Sequence, residues 1–325
     1  MYCERRESSV NCFEQRQPAW EWQRFAGVWK RSVVAGLALL VGATTGHPES
    51  PTPAESPARR LTTDGHEKRD PIFVDGGKEI VFTVLEAPDQ WSLMRLKVAD
   101  RSTTRLHPEI KVSEYDASFS KDGRYYAYLH NDGNLRTKVV IRDTREGTAI
   151  VHDPKGGFVG VQNVSIAPDG SRAVFAFPGK GEGQQIYSLP ANGKQRRPLT
   201  DSSYIDACPR FSADGKQIAF TSTRNENFDI FVMTSEGKQI RRLTNHPGLD
   251  THPAWSPDGK RIAFTSLRDG NYDVYVMEAD GSRLQRVTRH AERDDFASWH
   301  PDGQRLAVIS ERLGQLDVYI VDVPR

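Results

Sequence analysis

Three carboxylates recur at equal intervals, each followed eighteen residues later by an arginine: Asp206 with Arg224, Asp250 with Arg268 and Asp294 with Arg312. If those acids ring a common axis, they supply the oxygen ligands that a hard cation such as Ca²⁺ takes. Set in a hairpin ladder, the same acids face the arginines across paired strands, where opposite charges stabilise the sheet. The equivalent positions further upstream are Lys68 and Glu86, then Glu114 and Asp132, then Val161 and Gly179. Reversal in the first of these units favours pairing over a symmetric cation ring, and leaves Asp206, Asp250 and Asp294 as metal candidates of second rank. Two residues beyond each acid lie Asp70, Asp116, Asn163, Cys208, His252 and Phe296, which are unlike one another. Among near-copies, the positions that differ are where binding chemistry can be written, because the shared ones are committed to packing. Two carboxylates, an amide and an imidazole in that set could converge on a cation or a polar ligand.

Other chemistries have weaker support. His246 and His252 are six apart, and His290 and His300 recur in the following unit. Zinc requires three or four ligands in defined geometry, which this spacing does not provide, although Cys208 beside His252 is a further candidate ligand. The sequence has no Gly-x-Ser-x-Gly elbow, no His-Glu-x-x-His and no phosphate-binding glycine loop, so an enzyme here must use scattered residues. A formal charge of +1 lacks the basic footprint of a nucleic-acid-binding protein.

The elements that position these residues are repeated hairpins. Turn glycines stand at Gly77, Gly123, Gly170, Gly215, Gly259 and Gly303, at spacings of 46, 47, 45, 44 and 44. Asp-Gly between two apolar runs is a strong hairpin signal. Each glycine is followed at a fixed offset by an apolar pair such as Ile218 and Phe220 or Ile262 and Phe264, and a third strand follows as Phe228–Met233, Tyr272–Met277 and Leu316–Val321. A short fourth strand ends in Arg242-Leu243-Thr244 or Arg286-Val287-Thr288. Four strands at this period predict an all-β, six-bladed β-propeller of four-stranded antiparallel blades. The sixth unit lacks a fourth strand, and an open blade edge would expose a row of unpaired donors and acceptors. Arg59-Arg60-Leu61-Thr62 has the fourth-strand form and is expected to close the ring by pairing into the last blade. Trp255, Trp299, Phe119, Phe211, Phe220, Phe264, Tyr275 and Tyr319 are expected between blades as core.

The stretch Pro-Ala-Trp-Ser-Pro-Asp-Gly-Lys-Arg-Ile-Ala-Phe-Thr-Ser-Leu-Arg at 253–268, with Asp-Val-Tyr-Val-Met at 273–277, resembles the WD40-like repeat of the TolB-type propeller family. The resemblance extends over residues 59–325 and implies the propeller. TolB itself carries an N-terminal α/β domain, for which the residues ahead of 59 leave no room.

Those residues suggest export instead. Lys30-Arg31 precedes an apolar run of 11 residues from Val33 to Ala43, a signal-peptide pattern and too short for an ordinary membrane span. Residues 1–45 are thus a leader or, if uncleaved, a membrane anchor, and residues 46–58 a Pro-rich spacer. Only Cys208 falls within the propeller, which excludes a disulfide there. The expectation is an exported monomer, periplasmic or secreted, that binds a protein or carbohydrate partner at one face and takes no nucleic acid. The alternative is a channel-mouth enzyme of the polysaccharide lyase or hydrolase type, assisted by a metal.

Overall fold

The computed structural model describes residues 58–133, 136–154, 160–179, 183–201, 203–312 and 314–324. The expected leader and all of the spacer except Ala58 lie outside these. The chain divides into two units, Met1–Thr52 and Pro53–Arg325, and the architecture below belongs to the second. Among the described residues, no helix is long and apolar enough to cross a membrane.

Six four-stranded antiparallel sheets form the blades. Blade 1 comprises Lys68–Val74, Glu79–Ala87, Gln90–Lys97 and Thr103–Arg105, and blade 2 Ser113–Phe119, Tyr125–Asn131, Thr137–Asp143 and Thr148–His152. Blade 3 comprises Gln162–Ile166, Arg172–Pro178, Gln184–Pro190 and Arg197–Pro198. Blade 4 follows with Asp206–Phe211, Gln217–Ser222, Asp229–Thr234 and Arg241–Arg242, and blade 5 with Asp250–Trp255, Arg261–Ser266, Asp273–Glu278 and Gln285–Arg286. Blade 6 takes Asp294–Trp299, Arg305–Arg312 and Gln315–Asp322, and its outer strand is Arg59–Arg60. The first strands of successive blades touch one another around the ring, the sixth touching the first, so they line the axis.

The hairpin signal is borne out with a different turn from the one Asp-Gly alone suggests. In blade 5 the loop runs from Ser256 to Arg261: the Gly259 N–H donates to the Ser256 carbonyl at 2.9 Å, and the Ser256 N–H to the Arg261 carbonyl at 2.9 Å. Gly259 alone takes the left-handed conformation, at φ +70°, which its missing Cβ permits. The Ser256 hydroxyl donates to Asp258 at 2.6 Å and accepts the Arg261 N–H at 2.9 Å. Ser120 with Asp122 and Ser212 with Asp214 repeat this arrangement.

Apolar residues pack between blades. One cluster joins Val274, Val276 and Val287 of blade 5 to Trp299, Leu306, Val308 and Tyr319 of blade 6. Trp299 is 7% exposed, its ring N–H donates to the Ala254 carbonyl of blade 5 at 3.0 Å, and the Arg261 guanidinium lies 4.7 Å over its ring. Trp255 repeats the bond one blade earlier, to the Arg210 carbonyl at 3.2 Å.

Ring closure copies a blade's interior. Arg60 lies opposite Tyr319, as Arg242 lies opposite Phe231 and Arg286 opposite Tyr275. In blades 4 and 5 the fourth-strand arginine and threonine grip a buried third-strand acid: Arg242 reaches Asp229 at 2.6 Å and Arg286 reaches Asp273 at 2.7 Å. At the seam Arg60 reaches Asp317 at 2.5 Å, the Thr62 hydroxyl donates to Asp317 at 2.6 Å, and the Val318 N–H donates to the Thr62 hydroxyl at 3.0 Å.

The reversed charge at Lys68 has a different cause from the expected pairing with Glu86. Glu86 is bound by Arg105 at 2.5 Å, and Lys68 reaches back across the seam to Asp317 at 3.1 Å, with both side chains fully buried. At the junctions of blades 4 with 5 and 5 with 6 the next blade's acid approaches the same site: Asp250 raises the Asp229 carboxyl and Asp294 raises that of Asp273, each in addition to the effect of burial. Lys68 replaces that repulsion by an ion pair.

Two outcomes follow. Deleting residues 1–57 should leave the melting temperature unchanged, whereas deleting residues 1–66 should lower it sharply, because Asp317 then keeps only Lys68; equal melting of the two would refute closure by Arg59–Thr62. Trp299→Ala should cost about 3–5 kcal/mol in chemical denaturation, the range for truncating a buried aromatic.

Candidate functional site

Every one of the six unlike positions has a left-handed backbone. The φ values are +51° at Asp70, +55° at Asp116, +52° at Asn163, +51° at Cys208, +51° at His252 and +54° at Phe296. Each falls where the pairing of the first and second strands shifts register, between Arg69 and Ile72, Tyr115 and Ser118, Gln162 and Ser165, Ala207 and Arg210, Thr251 and Ala254, and Asp295 and Ser298. These are six equivalent bulges. A bulge breaks the two-residue alternation of a strand and re-aims one side chain, here toward the channel that the first strands surround. For a residue with a Cβ the conformation costs about 1–2 kcal/mol, least for Asn and Asp, so His252, Cys208 and Phe296 are held there by the surrounding ring.

Two of the six side chains accept a backbone N–H of the next blade. Asp116 Oδ2 accepts the buried Val164 N–H of blade 3 at 2.8 Å, and Asn163 Oδ1 accepts the Cys208 N–H of blade 4 at 3.2 Å. Second-strand threonines do the same from the other side: the Asp116 N–H donates to the Thr83 hydroxyl at 3.1 Å, and the Thr265 hydroxyl donates to Asp295 at 2.6 Å.

The remaining residues meet across the axis. Arg210 of blade 4 reaches Asp116 of blade 2 at 3.3 Å and donates to the Val164 carbonyl of blade 3 at 3.2 Å. Burial and the nearby Asp116 carboxylate push Asp70 up to about 6, against the pull of Arg69, Arg210 and His252. His252 Nδ1 is 3.0 Å from Asp295 Oδ1, and the imidazole lies 4.4 Å from the Phe296 ring. Burial opposes the charged imidazole, but Asp295 and Cys208 outweigh it and hold His252 well above its ordinary range. Burial likewise opposes the Asp295 anion, yet His252 and Arg293 hold that carboxyl far below the usual range. Cys208 is a buried free thiol, with Sγ 3.6 Å from Asn163 Oδ1 and 4.0 Å from the Thr251 hydroxyl.

Arg69, Arg210 and Asp295 were not singled out in the sequence. Comparing blades one residue before and two residues after the bulge finds them: Arg210 stands where the other units have Ile72, Ser118, Ser165, Ala254 and Ser298. The three acids considered for a cation lie elsewhere. Asp206 is bound by Arg224 at 2.9 Å, both oxygens of Asp250 by Arg268 at 3.0 Å, and Asp294 is fully buried in blade 6. Among the described residues no group of three or more His, Cys, Asp or Glu is arranged to hold a metal ion. His246 and His290 sit in the loops ahead of blades 5 and 6, where their ring nitrogens accept the N–H of Gly248 and of Glu292.

The fold and site together define a six-bladed propeller with an asymmetric, self-paired charge cluster on the first strands that line its axis. The family model for the TolB beta propeller domain matches residues 95–244 and 196–325, well over half of the chain, and the chain belongs to this family. The Protein TolB homolog of Chlorobium chlorochromatii is 33% identical over 110 residues, which is 33% of this chain and 23% of that protein; the match thus spans less than a quarter of the relative's length. Among solved structures, TolB from Acinetobacter baumannii aligns with a TM-score of 0.62 at 21% identity, over 77% of this chain and 65% of that one. An oligogalacturonate lyase from Vibrio parahaemolyticus aligns with a TM-score of 0.54 at 14% identity, over 82% and 94%. Both likenesses are of fold.

Asp70 generates a pH test. Because its carboxyl is raised in the folded state, its contribution is fully present below about pH 4 and is lost as pH rises through about 6, where ionised Asp70 becomes a cost. Asp70→Asn should therefore be nearly neutral in the acid range and stabilise the protein by about 1–3 kcal/mol above neutrality. Melting curves across that range check this; a constant offset between variant and wild type would contradict it.

Proposed function

We propose that this chain is an exported, non-catalytic propeller that binds a protein partner at the channel mouth ringed by Asp70, Asp116, Asn163, Cys208, His252 and Phe296. One observation carries the reading: in a ring whose blades otherwise repeat, the unlike side chains are gathered at six equivalent bulges, and their charges neutralise one another. Asp116 is paired with Arg210, and His252 with Asp295. Catalysis requires a nucleophile, base or metal with an unused valence facing substrate, whereas a pre-paired mixed surface suits recognition, in which charge arrangement selects the partner. Membership of the TolB propeller family and the leader-like run at Val33–Ala43 support binding in an exported setting.

A second reading keeps an enzyme at the same mouth, cleaving a polyuronate with a bound metal. It draws on the fold shared with the oligogalacturonate lyase and on the raised carboxyl of Asp70, which could serve as a proton donor.

One experiment separates the two. The full chain and its His252→Ala, Phe296→Ala double variant are used as cross-linking bait in envelope extract from the source cells, and both are incubated with oligogalacturonate and Mn²⁺. Binding predicts a specific protein captured by wild type and lost from a double variant that still melts cooperatively. Capture unaffected by the double change would remove the site from the mouth, and appearance of unsaturated uronate would establish the enzyme instead.

A further inference from the structure

Arg69 differs from the other cations of the mouth. It is only 8% exposed, its Nε is buried without a hydrogen-bond partner, and its guanidinium donates no hydrogen bond to any described residue. Its nearest carboxylate oxygen, Asp70 Oδ2, is 3.6 Å away, beyond hydrogen-bonding distance. Aromatic rings hold the group: its carbon lies 4.1 Å from the Trp91 centroid and 5.0 Å from that of Tyr115. The Tyr115 hydroxyl is in turn fixed at 3.0 Å from the Thr137 hydroxyl. At the equivalent place the other blades have Tyr115, Gln162, Ala207, Thr251 and Asp295, so no packing rule of the ring calls for arginine.

Burying the Arg69 Nε–H without a partner is costly, and contact with aromatic faces does not satisfy it. The two rings hold the guanidinium carbon, and its planar donor fork matches a carboxylate bidentately. We propose that Arg69 anchors a carboxylate-binding subsite on the blade 1 and blade 2 side of the mouth, walled by Trp91 and Tyr115, in which the ligand carboxylate accepts two N–H bonds from the guanidinium. The proposal rests on the mouth being the binding site, and names the group on the partner that it recognises. Asp70 is the internal competitor: its charge faces Arg69 at a distance too long to satisfy the donors, and Asp116, Arg210 and His252 face it in turn.

A peptide C-terminus and a small organic acid share this chemistry, and the test separates them. The full chain is titrated calorimetrically at neutral pH with propionate, with acetyl-trialanine bearing a free carboxylate, and with the same peptide as its C-terminal amide. The free acid should bind at least about tenfold more tightly than the amide. Binding of propionate as well assigns the subsite to any carboxylate, and binding of the peptide acid alone assigns it to a chain terminus. Arg69→Met should abolish binding while still melting cooperatively, because no hydrogen bond is lost; Arg69→Lys, which keeps the charge without the fork, should fold and bind weakly. Asp70→Asn should tighten binding by about fivefold, by removing the competitor. Equal affinity for acid and amide, no binding of either acid, or a destabilised Arg69→Met that retains binding would overturn the proposal. If the probes fail while mouth substitutions still abolish partner capture, the subsite is wrong and the mouth reading stands.

Discussion

A buried carboxylate, Asp317, holds the ring shut. It accepts from Arg60 and Thr62, which arrive from the start of the propeller, and pairs with Lys68 of blade 1. A propeller buries the faces of its sheets only between neighbours, so a single open junction would expose two apolar faces and a strand edge together. The seam is therefore the one junction where chain connectivity gives no help, and it is where charge is concentrated. Between blades 4 and 5 and between blades 5 and 6 the acid of the incoming blade approaches a third-strand aspartate as a like charge; at the seam a lysine stands in its place. Removing one partner of such a buried set costs far more than the set contributes over an apolar alternative, which makes the arrangement a device for register as much as for stability.

Closure also creates the mouth. Six first strands line the axis, and each carries a bulge at the same step. The left-handed residue at that step recurs in every blade; its identity does not. Blades 2 and 3 use the position for Asp116 and Asn163, which clip the next blade's backbone. Blades 1, 5 and 6 place Asp70, His252 and Phe296 there, and none of these side chains clips a neighbouring backbone. The same feature of the fold thus serves cohesion on one side of the ring and leaves chemistry free on the other.

This division explains what could be read from the sequence. The period, the hairpins, the fourth strand borrowed from the N-terminal side and the six unlike positions are written locally, as repeated spacings around Gly77 to Gly303, and all were legible. Partners that depend on the closed ring were not. Lys68 and Glu86 look like a reversed cross-strand pair until the first blade is set against the sixth, when Lys68 finds Asp317 and Glu86 is left to Arg105. Arg210 is invisible to a search for unlike residues at a single register because it acts two places beyond the bulge, spanning three blades to reach Asp116. Nor does spacing disclose a left-handed backbone at Phe296 or His252, since neither residue favours one; only the register shift against the second strand reveals it.

The balance of charge within the mouth narrows what it can recognise. Asp116 and Asp295 are each satisfied by a cation and further hydrogen bonds, so a cationic ligand would have to displace Arg210 or His252 and leave that group buried without a partner. An anion meets no such obstacle at Arg69, which donates no side-chain hydrogen bond to any described residue and whose neighbouring carboxylate, Asp70, is itself reluctant to ionise. The least costly change on binding is then the addition of negative charge beside Arg69, with Asp70 taking up a proton if pH permits. A ring assembled from near-copies has no symmetry reason to carry such an imbalance in one blade; it belongs to the part of the sequence that the fold does not require.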